Sequence, residues 1–400
     1  MRGIMNVKKK LKSMAKWLIA CGLVVMCPGL AQGQDATSSA TPARTSYEAD
    51  LPMAISNEVW QSSIPKDIPF TYLTVALGKK LFFDTRLSKD GSVSCATCHD
   101  PEMAFTDGKA VSEGIHGQKG TRSAPTILNA MFSSTQFWDG RVKTLEEQAR
   151  LPLINPIEMG MDSHEAVVIK LKRLTDYDGM FQEVFNGQPT IDRIVQAIAT
   201  FERTQLSGSS SFDQFFRGDS SAISKRAQRG WDLFRGKALC QTCHTFDPDT
   251  SPFFTDFQFH NIGIGARRIK DFDSMAKRIR KYTEKKAIPD QLLDALALSD
   301  NTLAELGRFN VTRKPSDLGA FKTPTLRDVE LTAPYMHDGS LTTLKEVMDF
   351  YNKGGHANVY LDKRIRALGL NDQEIEDLIA FMKSLTSDRV RRLAIISHGR

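Results

Sequence analysis

Two pentapeptides, Cys95-Ala-Thr-Cys98-His99 and Cys240-Gln-Thr-Cys243-His244, constrain this 400-residue chain more than any other feature. In each, two thiols three positions apart can reach the two vinyl groups of one haem, and the histidine that follows is carried beneath the iron as proximal ligand. One copy could be a chance metal or redox pair. Two copies with no thiol to spare predict two covalently bound c-type haems.

The remaining cysteines, Cys21 and Cys27, fall in residues 1–33, which read as an export signal. Arg2, Lys8, Lys9, Lys10, Lys12 and Lys16 form a basic start, Trp17 to Met26 a short apolar core, and Ala31-Gln32-Gly33 a small-x-small cleavage site. The apolar run is short for a bilayer span. Leu18-Ile19-Ala20-Cys21 resembles a lipid-attachment box, but Lys16 leaves almost no apolar core before it. The expected location is the periplasm. All six basic residues of the signal belong to the formal charge of +6, so the chain beyond it carries 47 basic against 47 acidic residues. Nucleic-acid binding gets no support from that balance.

Residues 34–50 are small and polar and predict a flexible leader. Beyond them a weak repeat is visible. Gly78-Lys-Lys-Leu81-Phe82 precedes the first CxxCH and Phe105-Thr-Asp107 follows it; Gly230-Trp-Asp-Leu233-Phe234 precedes the second and Phe254-Thr-Asp256 follows it. Apolar residues recur at helical spacing at Leu73/Leu77/Leu81, Ile191/Ile194/Val195/Ile198/Phe201, Leu344/Val347/Met348/Tyr351 and Ile375/Leu378/Ile379/Met382/Leu385. Thr343-x-x-Glu346 and Asn371-x-x-Glu374 predict capped starts for the last two, and Gly354-Gly355 a stop for the third. The fold class expected is mainly α, two cytochrome c-like haem domains with long loops: residues 51–205 and 206–388, then a basic tail at 389–400. Residues 266–286 hold nine basic and three acidic residues, read as a solvated helix face in preference to a docking patch for an acidic partner.

Further motifs resemble a family. The runs Gly120-Thr-Arg122-Ser-Ala-Pro125-Thr126-Ile-Leu-Asn129, Phe137-Trp138-Asp139-Gly140-Arg141, Leu145-Glu-Glu-Gln148, Asn155-Pro156-Ile-Glu158-Met159 and Phe321-Lys322-Thr-Pro324-Thr-Leu326-Arg327, with Thr332-Ala-Pro334-Tyr335-Met336-His337-Asp-Gly339, are similar to the bacterial di-haem cytochrome c peroxidases and the related MauG enzymes. The resemblance extends from about residue 70 to 386. It implies a peroxidatic haem on His99 and an electron-transferring haem on His244. Two haems suit peroxide cleavage because that reaction takes two electrons.

The resemblance implies roles for single residues. Glu158 matches the distal acid, which moves a proton between the two peroxide oxygens. Trp138 matches an aromatic between the haems. The position that holds a methionine in typical peroxidases is Tyr351, as in MauG enzymes, and a phenolate lowers a haem's potential where a thioether raises it; Met348 and Met336 are the alternative sixth ligands. A loop histidine that ligates the peroxidatic haem in activatable members is offered by His116, although ungapped alignment from Gly120 and Arg122 puts that position on Ile115. A calcium ion is implied at Ser123, Thr332 and Pro334, with Ser123 standing where the family has asparagine. MauG enzymes carry a tryptophan two residues before the second CxxCH; this chain has Ala238. His260 and His337 read as structural histidines or propionate partners.

The function expected is a di-haem peroxidase reducing hydrogen peroxide to water with electrons from a small cytochrome c or cupredoxin. The alternatives are a MauG-like oxidase that modifies a partner protein and a non-catalytic di-haem electron carrier. A homodimer is left open.

Overall fold

The computed structural model describes residues 46–277 and 301–398. The expected signal, the leader as far as residue 45, and 278–286 of the basic run lie outside the described residues.

Six helices carry the architecture: α1 (Tyr72–Phe83), α2 (Leu145–Ile154), α3 (Ile191–Arg203), α4 (Lys225–Arg235), α5 (Leu344–Asn352) and α6 (Asp372–Ser384). Each starts where a side-chain oxygen caps the first turn. Thr71 accepts from Thr74 N–H and Thr190 from Arg193 N–H. Thr144 with Glu147, Thr343 with Glu346, and Asn371 with Glu374 form reciprocal capping boxes. Helix α5 ends at Asn352, just before Gly354 and Gly355, both at positive φ. Strands are limited, among the described residues, to the two-residue pair β1 (Phe259–His260) and β2 (Phe321–Lys322), antiparallel with Phe259 opposite Lys322.

Two helix pairs organise two apolar cores. Helix α1 packs on α3 around Leu77, Leu81, Phe82, Ile198 and Phe201; α4 packs on α6 around Phe234, Leu378 and Phe381. Each buried leucine or phenylalanine contributes roughly 1.5–3 kcal/mol. The crossings are alike. A Cβ on Gly78 would lie 1.8 Å from the Ala197 carbonyl oxygen, and one on Gly230 would lie 1.9 Å from that of Asp377. Phe82 meets Phe201 at 5.1 Å and Phe234 meets Phe381 at 5.0 Å. The described residues nonetheless belong to one compact unit, in which these two cores are distinct.

The repeat goes deeper than the sequence suggests. Thr126 Oγ1 donates to the Ala104 carbonyl and Thr325 Oγ1 to that of Phe253, both at 2.7 Å. Asn129 and Asp328 both adopt left-handed φ, and each accepts through Oδ1 a backbone N–H, from Ser207 and Ser387, at 2.9 Å. The hairpin-like turns Gln136–Val142 and Tyr335–Leu341 match as well, with Phe137 and Met336, then Gly140 and Gly339, at positive φ. Counted through these turns and capping boxes, Trp138 is the twin of His337 and Pro152 the twin of Tyr351.

The C-terminal segment departs from expectation. Asp388–His398 is a helix, α7, and Val390, 3% exposed, inserts into the first core. Arg391 pairs with Glu330 at 2.8 Å. One buried valine and one ion pair make an anchor of what the charges alone present as a tail.

Candidate haem sites

At each CxxCH motif the chain turns tightly enough for the histidine N–H to donate to the carbonyl of the first cysteine, His99 to Cys95 and His244 to Cys240, both at 2.9 Å. Each imidazole then anchors Nδ1 on a main-chain carbonyl: His99 on Phe105 at 3.2 Å, His244 on Phe254 at 3.0 Å. Those carbonyls are presented by Phe105 (φ 60°) and Phe254 (φ 55°), a backbone region costly for a bulky side chain and held only by its surroundings. With Nδ1–H donating, Nε2 is left as the lone-pair nitrogen, the arrangement that fixes tautomer and aim of a metal-ligating histidine. Burial lowers the pKa of both imidazoles, keeping them in the neutral form that iron binds. No disulfide joins the four motif cysteines, which leaves all of them for thioether bonds to haem. Burial pushes Cys98 and Cys240 up to about 12, where they stay uncharged until they are alkylated. The donor set therefore fits two c-type haems.

A cavity of about 290 Å³ opens on the second motif. Cys240, Cys243 and His244 line it, with Leu344, Met348 and Tyr351 from α5. Met336 reaches it from the Pro334–His337 turn. All three expected sixth-ligand candidates thus face the same chamber. The Tyr351 hydroxyl has its pKa raised by burial, with the two cysteines of the motif adding to the rise. Lys322, also in the wall, is lowered to about 8 by burial; its Nζ holds Ser133 Oγ at 2.8 Å and the Thr135 carbonyl, and no carboxylate pairs with it among the described residues. A buried cation of this kind suits a haem propionate.

Trp138 lies in the same wall. Its indole N–H donates to the Ser123 carbonyl at 2.9 Å, its own carbonyl accepts from Lys322 N–H at 2.9 Å, and its ring meets His337 edge-on at 6.5 Å. Ser123, Thr332 and Pro334, the expected calcium ligands, line this cavity too. The Ser123 amide and carbonyl are both engaged, by His337 and Trp138, which leaves its hydroxyl as the free donor.

Around the first motif the furnishing differs. Glu158 sits after an Asx turn in which Asn155 Oδ1 accepts from Ile157 N–H. Burial raises the pKa of its carboxyl, against the opposing charge of Arg141. The carboxylate acts electrostatically on both Cys95 and Cys98, and no hydrogen bond to its side chain occurs among the described residues. His116 does not join this group: it is 66% exposed, at φ 57°, with Nδ1 3.4 Å from Asp90. Its neighbour Ile115 is buried and donates its N–H to the Glu158 carbonyl at 2.9 Å.

Several residues were not visible in the sequence. Glu202 on α3 is 4% exposed with an unpartnered Oε2, and burial pushes it up to about 8. Its twin on α6 is Met382, which lines the second cavity. Glu305, Arg122, Arg268 and Asp338 surround His337. Glu305 and Arg268 carry no local mark because they act across long sequence separations; Arg122 and Asp338 stand in the family-like runs, but their meeting at this site shows only in the fold. His260 bridges Asp256 and Asp362 at 2.8 Å each; burial opposes its charge, yet the acceptors hold it up at about 10.

Comparison with known proteins agrees with this geometry. Residues 73–221 match the family described as di-haem cytochrome c peroxidase. The chain is 36% identical over 375 residues to the methylamine utilization protein MauG of Methylorubrum extorquens, covering 93% of this chain and 95% of that one. It is 35% identical over 314 residues to the cytochrome c551 peroxidase of Nitrosomonas europaea, covering 78% and 80%. The crystal structure of a MauG-like protein associated with microbial copper homeostasis superposes with a TM-score of 0.70 at 32% identity, over 86% of this chain and 97% of that one. The chain belongs to the di-haem cytochrome c peroxidase and MauG family, and it carries two c-type haems on a mainly α, cytochrome c-like fold. Among the described residues no helix is long and apolar enough to cross a membrane.

Proposed function

We propose that the protein is a periplasmic peroxidase that reduces hydrogen peroxide to water with electrons from a small cytochrome c or cupredoxin. The observation that carries this reading is an asymmetry between twin helices. Helix α5 offers Tyr351 to the chamber of the second haem, whereas the same position of α2 is Pro152, which has no donor, and Glu158 follows it. One half is furnished to keep a ligand, the other to keep a coordination site and an acid.

Bound haem supplies the iron that holds peroxide and the electrons that cleave it. The protein supplies aim and protons. His99 and His244 would hold the irons through Nε2, with the Phe105 and Phe254 carbonyls fixing their rings through Nδ1. Glu158 takes the proton of the inner peroxide oxygen and returns it to the outer one, so that this oxygen leaves as water. A second water follows with two further protons and two electrons. Trp138 lies between the two halves, and Tyr351, which lines the chamber of the second motif, would hold the iron there and lower its potential. His116, facing solvent, has no part in this scheme.

Optical and EPR spectra of the oxidised and half-reduced protein test the reading. One high-spin haem at rest, with turnover unaffected by pre-reduction, is the expected result. Two low-spin haems, with turnover appearing only after partial reduction, would overturn it.

A second reading, a MauG-like oxidase acting on a partner protein, draws support from Tyr351 and from the 36% identity to MauG. Ala238 weighs against it, since the tryptophan expected there in that branch is missing. Peroxide-dependent oxidation of a small cytochrome c, compared with oxidation of a protein substrate, separates the two.

A further inference from the structure

His337 is 3% exposed, and its Nε2 lies 2.7 Å from Oε2 of Glu305, which is 1% exposed. That contact makes Nε2–H the donor to the Glu305 carboxylate. Phe321 stacks on the imidazole at 3.6 Å and 11°, and the Trp138 ring meets it at 68°. Ser123 ties two of these rings together: it donates its N–H to the His337 carbonyl and accepts the Trp138 indole N–H at its own carbonyl, both at 2.9 Å. Glu305 is also approached by Arg122 at 3.7 Å and Arg268 at 3.2 Å, and Arg268 reaches Asp338 at 3.2 Å. Apolar side chains of similar volume would fill the same space at lower desolvation cost. A carboxylate retained in such a place, one imidazole away from Trp138, calls for a purpose beyond packing.

The chemistry of Trp138 supplies one. Its N–H is held by a main-chain carbonyl, which is far too weak a base to take the proton. An indole that loses an electron here keeps its proton and bears a full positive charge. In a buried setting a carboxylate nearby acts strongly on that charge.

We propose that Glu305, acting through His337, is a positioning residue for Trp138: the pair fixes the edge of the indole and supplies the negative charge that favours its one-electron oxidation. The proposal rests on the reading of Trp138 as the bridge between the haems. With both haems bound, the indole would give one electron to the first haem once peroxide has oxidised that haem, and would take one back from the second. No bond between heavy atoms forms or breaks, and the proton stays on Nε1.

Stopped-flow mixing of the half-reduced holoprotein with hydrogen peroxide reads two phases separately, the reaction of the first haem and the oxidation of the second. Glu305→Gln, nearly isosteric, is expected to slow the second phase on the order of tenfold with the first phase unchanged, and Glu305→Asp to restore part of it. Arg268→Gln, which removes a positive charge beside the same carboxylate, is expected to speed that phase about twofold. A structural role alone would slow both, so slowing in Arg268→Gln, or no slowing in Glu305→Gln, overturns the proposal. Should Glu305→Gln fail to load haem, the direction of the Arg268→Gln effect decides. Trp138→Phe keeps the two readings apart. If it slows the second phase while Glu305→Gln does not, the bridge stands and the positioning pair falls; if it has no effect, the bridge itself falls.

Discussion

The backbone N–H of Ile115 donates to the carbonyl of Glu158 at 2.9 Å, and this bond ties the loop that follows Gly114 to the segment carrying the acid. Gly114 makes the approach feasible, because a Cβ there would lie 1.9 Å from the Ile157 carbonyl oxygen. The loop turns Ile115 inward and His116 outward, which favours the reading that His116 is not an iron ligand. His116→Ala is therefore expected to leave the resting optical spectrum and the turnover rate within about twofold of the parent. Loss of a low-spin component in that variant would show that His116 does reach the iron.

Glu158 predicts a pH dependence with a definite sign. Burial favours its uncharged form, so the proton is retained to a higher pH than in a free glutamate. In the proposed role of Glu158, proton transfer from peroxide begins with the carboxylate. Turnover should accordingly fall as pH drops through the raised pKa, at a higher pH than for an exposed carboxyl. Arg141 opposes the shift, so Arg141→Met should move this limb further up. Glu158→Gln should abolish the limb and reduce peroxide turnover roughly 10²–10⁴-fold; steady-state rates across pH 4–9, about the range in which carboxyl and imidazole groups titrate, decide the matter.

The three candidate ligands in the second chamber are separable by potential. If Tyr351 holds the iron, Tyr351→Met should raise the midpoint potential of that haem on the order of 100 mV or more, while Met348→Leu and Met336→Leu leave it nearly unchanged. Spectroelectrochemical titration reads the difference. A large shift in either leucine variant would transfer the ligand role to that methionine.

The crossing of α4 and α6 depends on the bare Cα of Gly230. Gly230→Ala puts a methyl 1.9 Å from the Asp377 carbonyl oxygen, so the helices must separate, at a cost of about 1–3 kcal/mol. Urea denaturation followed by the Soret band should show a lowered midpoint. Gly78→Ala should do the same through α1 and α3.

What the sequence disclosed and what it hid follow from the range of the interactions. The haem anchors are local, five residues each, and so were plain. Helices α1, α3, α5 and α6 lie where apolar periodicity and the boxes at Thr343 and Asn371 predict them. The matched pairs Asn129 with Ser207 and Asp328 with Ser387 left no such trace, since a left-handed residue bonded to a distant backbone has no period. Glu305 and His337 are joined only by the fold. His116 was offered by its residue type, but the buried side of its loop belongs to the residue before it. The helix Asp388–His398 was read as a tail because Arg389, Arg391 and Arg392 open it, although Val390 among them seats it in the first core.

Twin positions give the molecule its own reference. Trp138 and His337, Pro152 and Tyr351, Glu202 and Met382 occupy equivalent places in the matched turns, capped helices and helix crossings, so each pair sets one side chain against another at a shared position. Exchanging members of a pair, such as Pro152→Tyr with Tyr351→Pro, asks how few atoms set the ligation of each haem. A duplicated frame also relaxes the demand on each half: one copy can keep the cofactor fully ligated while the other drifts toward an open iron, and neither change need disturb the helices that hold both.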